Sequence, residues 1–120
     1  MKIAVTAKGT DLESEMDPLF GRAAYIILVE TDTMEFEVLN NSENVNRLKG
    51  AGIQAATLIS KKGARVLLTG HCGPNAVSTL NAANIKIASE VKGTVKEVVA
   101  SFNQGNYKFS NAPTNEEQCI

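Results

Sequence analysis

The chain has 120 residues, 43% of them hydrophobic and 21% charged, and a formal net charge of −1. This length and composition are typical of one globular domain that folds without disulfides or structural metals. The small net charge excludes a global field that attracts nucleic acid or anionic lipid, and the apolar runs are too short to span a bilayer. No signal peptide is evident, so we expect a cytoplasmic protein. The small charge and the short apolar runs predict no nucleic-acid and no membrane partner, and we expect a monomer by default.

The first third of the chain predicts three strands. KIAVTA, at 2–7, is rich in apolar residues, and AAYIILVET, at 23–31, is a nearly continuous apolar run, typical of a strand covered on both faces. EFEVLN, at 35–40, alternates polar and apolar residues as a half-exposed strand does. The short TDT link predicts an antiparallel hairpin, and a loop is expected over 8–21.

The rest of the chain alternates helices with strands. Helices are predicted over 50–63, 73–84 and 94–105, and strands over 64–70 and 85–90. Thr94 and Glu97 have the spacing of a capping box at the start of the last helix. Ile53, Ala56 and Ile59 recur at helical spacing in the first of these helices. The apolar faces predicted for the second and third are Ala76, Val77, Leu80 and Ala83, then Val95, Val98, Val99 and Phe102.

The order β-β-β-α-β-α-β-α predicts an α/β fold, a five-stranded mixed sheet flanked by helices. We expect this single domain to cover residues 1–108 and a flexible tail to cover 109–120. In such a sheet, ligands gather beyond the carboxyl ends of the parallel strands. The loop after the first strand, the start of the first helix and the turn at 70–75 are expected to meet there.

The turn GHCGPN, at 70–75, carries the strongest candidate site. His71 is the only histidine, and it is followed directly by Cys72, one of two cysteines. Thiolate and imidazole are ligands that soft or borderline metals select, so both residues are candidate metal ligands. The alternative is that Cys72 fills a tight turn and His71 is an exposed loop residue. A closed zinc site is excluded here, because two adjacent ligands cannot supply four positions.

The same turn is a candidate anion site. Gly70 and Gly73 flank the pair, and the proline after Gly73 predicts that a helix starts there. The free amide of Asn75 then points back toward the turn, where it favours an anion or a thiolate. Gly50 and Gly52 open the preceding helix with little bulk and either admit an anion or form a flexible helix entry.

Other polar residues are weaker candidates. Arg22 is a candidate partner for an anionic ligand. Cys119, the second cysteine, is expected to be an exposed thiol in the tail. An acidic segment follows the first strand, but its spacing fails the calcium-loop pattern, so a solvated loop is favoured. Its carboxylates are Asp11, Glu13, Glu15 and Asp17.

Five segments in order, MKIAV, FGRA, GAGIQAA, TGHCGPNA and LNAANIKI, resemble the dinitrogenase iron–molybdenum cofactor biosynthesis family over residues 1–108. That family includes carriers associated with nitrogenase assembly and the orange proteins of anaerobes. The resemblance implies a ribonuclease-H-like fold without nuclease chemistry. It also implies binding or transfer of a metal–sulfur cluster that contains molybdenum with iron or copper, and that is absent from the purified protein.

Two departures from the family bear on how a cluster is held. Leu19 stands where relatives often have a histidine before FGR, and Arg47 and Lys49 stand near the position of a second one. The resemblance therefore implies either ligation by His71 and Cys72, or capture by Arg22, Lys49 and helix-start amides.

The resemblance implies a carrier or scaffold, and we predict that it is non-enzymatic, because no catalytic constellation is evident. Cofactor-assembly proteins or ATPases are its candidate partners. One alternative is a protein–protein interaction module in cofactor assembly. The other is a thiol-dependent enzyme that uses Cys72, activated by the helix start.

Overall fold

The computed structural model describes residues 1–41 and 51–110. Its strands are β1 (Lys2–Ala7), β2 (Tyr25–Glu30), β3 (Phe36–Asn40), β4 (Val66–Leu68) and β5 (Lys86–Ala88). Its helices are α1 (Ala51–Lys61), α2 (Pro74–Ala82) and α3 (Val95–Asn103), with a single 3-10 turn at Phe20–Arg22. The predicted order of strands and helices is confirmed.

The five strands form one mixed sheet in the order β3-β2-β1-β4-β5. The hairpin of β2 and β3 is antiparallel, as predicted, and β2 also pairs antiparallel with β1. The pairs β1–β4 and β4–β5 are parallel. Their carboxyl ends therefore share one edge of the sheet, which we call the carboxyl edge. The opposite edge carries the start of all three parallel strands.

Each face of the sheet has its own core, because successive side chains of a strand point to opposite faces. Ala4 of β1 and Leu67 of β4 pack with the apolar residues of α1 and α2. Ile3 of β1 and Leu68 of β4 pack with those of α3. The molecule is thus a three-layer sandwich with two helices on one face and one on the other.

The predicted helix faces are largely correct. Ala56, Ile59 and the three valines of α3 are buried, whereas Ile53 is 37% exposed although it shares their helical spacing. At about 100° per residue, Ile53 lies roughly 120° around α1 from Ile59. Ala51 and Ala55 fill the core instead. In the described part of the chain, no helix is long and apolar enough to cross a membrane.

Two threonines hold the loops of the carboxyl edge together. Thr6, near the end of β1, donates from Oγ1 to the carbonyl oxygen of Asp17 at 2.7 Å. Its Oγ1 also lies 3.1 Å from Oγ1 of Thr69, in a buried hydrogen bond between β1 and the residue after β4. The side chain of Thr6 therefore connects the loop after β1 to the residue that follows β4.

Candidate functional site

Two of the segments singled out in the sequence form one structural unit. The amide of His71 donates to the carbonyl oxygen of Pro18 at 2.6 Å, and the amide of Phe20 donates to that of His71 at 3.1 Å. A β-carbon on Gly70 would lie 2.7 Å from Cα of Pro18, so only glycine fits this backbone approach. The FGR segment and the GHCG turn are therefore adjacent, as the sequence predicts for the carboxyl edge.

A second set of small residues brings three elements together. A β-carbon on Gly21, in the 3-10 turn, would lie 2.7 Å from the backbone nitrogen of Gly52, in α1. A β-carbon on Gly52 would lie 2.9 Å from that of Ala76, in α2. Gly52 thus has a packing role that neither interpretation of its sequence included. Arg22 follows Gly21, ends the 3-10 turn that packs against the first turn of α1, and is half-buried.

The start of α2 is open to an acceptor from outside the helix. Its N-cap residue is Gly73, which has no side chain to cap the helix, and Pro74 has no amide hydrogen. The amides of Asn75 and Ala76 consequently have no acceptor within the helix, because the first turn of any α-helix lacks them. With the helix dipole, this arrangement favours an anion.

The start of α3 is closed by the chain itself. Thr94 and Glu97 form the predicted capping box, with hydrogen bonds of 3.2 Å from the amide of Glu97 and 3.0 Å to its carboxylate. The amides of Val95 and Lys96 donate to carbonyl oxygens of the loop after β1, at 2.9 and 2.8 Å. These bonds exclude α3 as an anion site and leave the start of α2 as the stronger candidate.

His71 and Cys72 diverge in the structure. The Nδ1 atom of His71 is buried and has no hydrogen-bond partner in the described part of the chain, whereas the residue as a whole is half-buried. Cys72 is 1% exposed and packs in the core beneath α1 and α2, with Phe20 among its cluster. The imidazole is therefore the member of the pair that can reach a ligand, and the thiol is sequestered.

Sequence reasoning missed Ser89 and the role of Pro18. The Oγ atom of Ser89 is buried without a hydrogen-bond partner among the described residues. The next residue, Glu90, donates its amide to the carbonyl oxygen of Gly70 at 2.7 Å and has a φ of 59°. A serine after a short strand gives no sequence signal that its hydroxyl group will be buried.

The acidic loop after β1 is largely exposed to solvent, as the sequence predicts. Asp11 accepts from its own loop, at 2.9 Å from the amide of Glu13, and Lys96 lies 3.8 Å from the Glu13 carboxylate. Within residues 1–41 and 51–110, no group of three or more His, Cys, Asp or Glu side chains could hold a metal ion. Lys49, Gly50 and Cys119 lie outside the described residues.

A sequence model of the family described as dinitrogenase iron–molybdenum cofactor matches residues 1–105. The chain belongs to this family. The apo form of the orange protein from Desulfovibrio gigas is similar over 95% of this chain and 96% of its own, at 42% identity and a TM-score of 0.92. A NifB-like protein from Thermotoga is 30% identical, with a TM-score of 0.82 over 96% of this chain and 97% of its own.

An uncharacterised protein of Methanocaldococcus jannaschii is 26% identical over 108 residues, which cover 88% of this chain and 87% of that protein. These similarities confirm the family and the α/β arrangement. The narrower classification as ribonuclease-H-like stays a prediction. Membership links the chain to iron–molybdenum cofactor binding or biosynthesis, which is compatible with a non-enzymatic role.

Proposed function

We propose that this protein is a non-enzymatic carrier that binds an anionic metal–sulfur cluster, of molybdenum with iron or copper, and passes it on. The observation that carries the proposal is the open start of α2, which follows His71 by three residues. Arg22 adjoins Gly21, which packs against the first turn of α1. Thiometallate clusters are anions whose sulfur atoms accept hydrogen bonds. Backbone amides, a guanidinium and an imidazole suit such an anion without a covalent bond.

The buried position of Cys72 supports capture of this kind over ligation by a thiolate. A cysteine ligand has to present its sulfur to the metal, but Cys72 is 1% exposed and packs in the apolar core. The same burial disfavours a thiol-dependent enzyme, because burial in apolar surroundings makes a thiol inert. We therefore assign the holding role to Asn75, Ala76, His71 and Arg22, and a packing role to Cys72.

Anaerobic reconstitution tests the proposal. The chain is mixed with tetrathiomolybdate and either a copper(I) salt or an iron(II) salt, and visible absorption and metal content are measured after gel filtration. We expect a stoichiometric coloured complex with wild type and with Cys72→Ala. Arg22→Gln and His71→Leu are expected to weaken binding by about tenfold each, since the first removes a charge-assisted hydrogen bond and the second removes the imidazole donor.

Arg65→Gln is the matched control for Arg22→Gln, because Arg65 is exposed at the opposite edge of the sheet. It should bind as wild type does. A chain that stays colourless under both metal mixtures would overturn the proposal. Loss of colour in Cys72→Ala with an unchanged fold would instead restore the thiolate as a ligand.

A carrier requires a donor and an acceptor for its cluster. We propose cofactor-assembly proteins or ATPases for these roles, and the cytoplasm as their compartment. Affinity capture with the cluster-loaded chain, compared with the unloaded chain, tests the partners, since a protein that receives the cluster should prefer the loaded form.

A further inference from the structure

A cavity lies at the opposite edge of the sheet, remote from the candidate cluster site. Its volume is about 310 Å³, near the lower end of the range for small-molecule pockets. It is formed where the parallel strands begin and where the chain returns after α3. Its lining residues are Met1, Arg65, Val66, Asn84, Lys86, Phe102 and Phe109.

The cavity has an aromatic wall. The rings of Phe102 and Phe109 meet edge to face, with centroids 6.2 Å apart and planes inclined by 61°. Phe109 is 42% exposed and Met1 is 54% exposed, so two of the large hydrophobic side chains that the molecule leaves in water are at this cavity. Such a wall buries the flat apolar part of a ligand.

The charge of the cavity is positive. Among the described residues that line it, Arg65 and Lys86 are cations and none is a carboxylate, and neither cation forms an ion pair within this part of the chain. The amino group of Met1 differs, because Glu30 and Asp32 each lie 3.5 Å from it. Lys86 Nζ lies 5.7 Å from the centre of the Phe109 ring, so one cation is held against the aromatic wall.

From this combination we infer that the cavity binds a small organic anion with a flat aromatic body, such as an aromatic carboxylate or sulfonate. The rings contact the aromatic body, Arg65 and Lys86 pair with the acidic group, and Asn84 offers an amide donor. The inference does not depend on the proposed cluster function, because the two sites lie at opposite ends of the parallel strands.

Two fluorescent probes of the same shape test the role of charge. 1-Anilinonaphthalene-8-sulfonate carries the anionic group, and N-phenyl-1-naphthylamine is the neutral counterpart. We expect the sulfonate to bind at least about tenfold more tightly at low salt, and this preference to shrink as sodium chloride screens the cations. The double variant Arg65→Gln/Lys86→Gln should lose the preference, and Phe109→Ala should weaken both probes.

The matched control is Lys8→Gln/Lys92→Gln, which removes the same net charge from exposed positions at the carboxyl edge. It should keep the preference for the sulfonate. Amide NMR shifts locate the probe, and the expected signals are those of Arg65, Val66 and Lys86. Equal binding of both probes to wild type, an unchanged preference in Arg65→Gln/Lys86→Gln, or shifts confined to the carboxyl edge would each overturn the inference.

Discussion

Gly52 of α1 and Ala76 of α2 approach so closely that a β-carbon on Gly52 would lie 2.9 Å from that of Ala76. The two helices therefore touch at their first turns without an intervening side chain. This contact decides how close the backbone amides of the two helices come to each other, and hence how compact the candidate anion site is.

Gly52→Ala should push α1 and α2 apart and lower the free energy of unfolding by about 1–3 kcal/mol, because the added methyl overpacks a buried contact. Ala76→Gly alone should cost about 1 kcal/mol through helix propensity. In the double variant Gly52→Ala/Ala76→Gly, the methyl group at residue 52 no longer meets one at residue 76. The loss in the free energy of unfolding should therefore be smaller than the sum of the two single losses. Urea unfolding of all four proteins measures this coupling, and strict additivity would contradict the contact.

Gly70→Ala should be more damaging than Gly9→Ala. A β-carbon on Gly70 meets the backbone of Pro18, which cannot move without breaking the bond from His71 to Pro18. At Gly9 the nearest atom is Oγ of Ser14, whose rotation away breaks only exposed hydrogen bonds with Asp11. We expect a loss of about 1–3 kcal/mol for Gly70→Ala and under about 0.5 kcal/mol for Gly9→Ala in urea unfolding. Similar losses at both positions would argue against the close approach.

The capping box gives the stability a pH dependence of known sign. The pKa of Glu97 lies below its ordinary value of 4.5, first because the amide of Thr94 donates to its carboxylate and then because of the Thr94 side chain. A group whose pKa is lower in the folded state stabilises that state fully when the pH is above the pKa of the unfolded state. This stabilisation is lost as the pH falls through the pKa of the folded state.

Glu97→Gln tests this sign, because glutamine can occupy the same capping position without the charge. Wild type should be the more stable protein near pH 7, and the difference should shrink as the pH falls below 4.5. Unfolding by urea above and below that pH is the measurement. A difference that is the same at both would show that the charge of Glu97 has no part in it.

Cys72 should react slowly in the native protein. In a Cys119→Ser background, which leaves a single thiol, labelling by an aromatic disulfide should be at least about a hundredfold slower than that of a free cysteine. Unfolding in guanidinium should remove the protection. Labelling of the native chain at the rate of a small thiol would contradict the core position of Cys72 and would favour the thiol enzyme again.

The order of elements was predictable because each strand and helix has a clear apolar pattern and clear ends. Pro74 and the Thr94–Glu97 pair locate two helix starts from sequence alone, and both are observed. The 3-10 turn at Phe20–Arg22 was not predicted, because it depends on hydrogen bonds to His71, far away in the chain.

The candidate site was predictable in location and less so in chemistry. The sheet topology puts the FGR and GHCG segments at one edge, and sequence reasoning finds that edge. It could not tell that Cys72 packs in the core while His71 Nδ1 has no hydrogen-bond partner among the described residues, since adjacent residues diverge according to tertiary packing. Nor could it tell that Gly52 is needed for helix packing.

The unequal starts of α2 and α3 have a thermodynamic consequence. Glu97 places a negative charge at the start of helix α3, so this helix needs no bound anion to cap its first turn. The N-cap of helix α2 is Gly73, which has no side chain. An anion bound at this helix start would provide the hydrogen-bond acceptor that a capping side chain provides elsewhere. Occupancy and thermal stability are then linked, because a ligand that binds only the folded state raises its melting temperature. Melting curves can therefore rank colourless anions that absorption cannot detect.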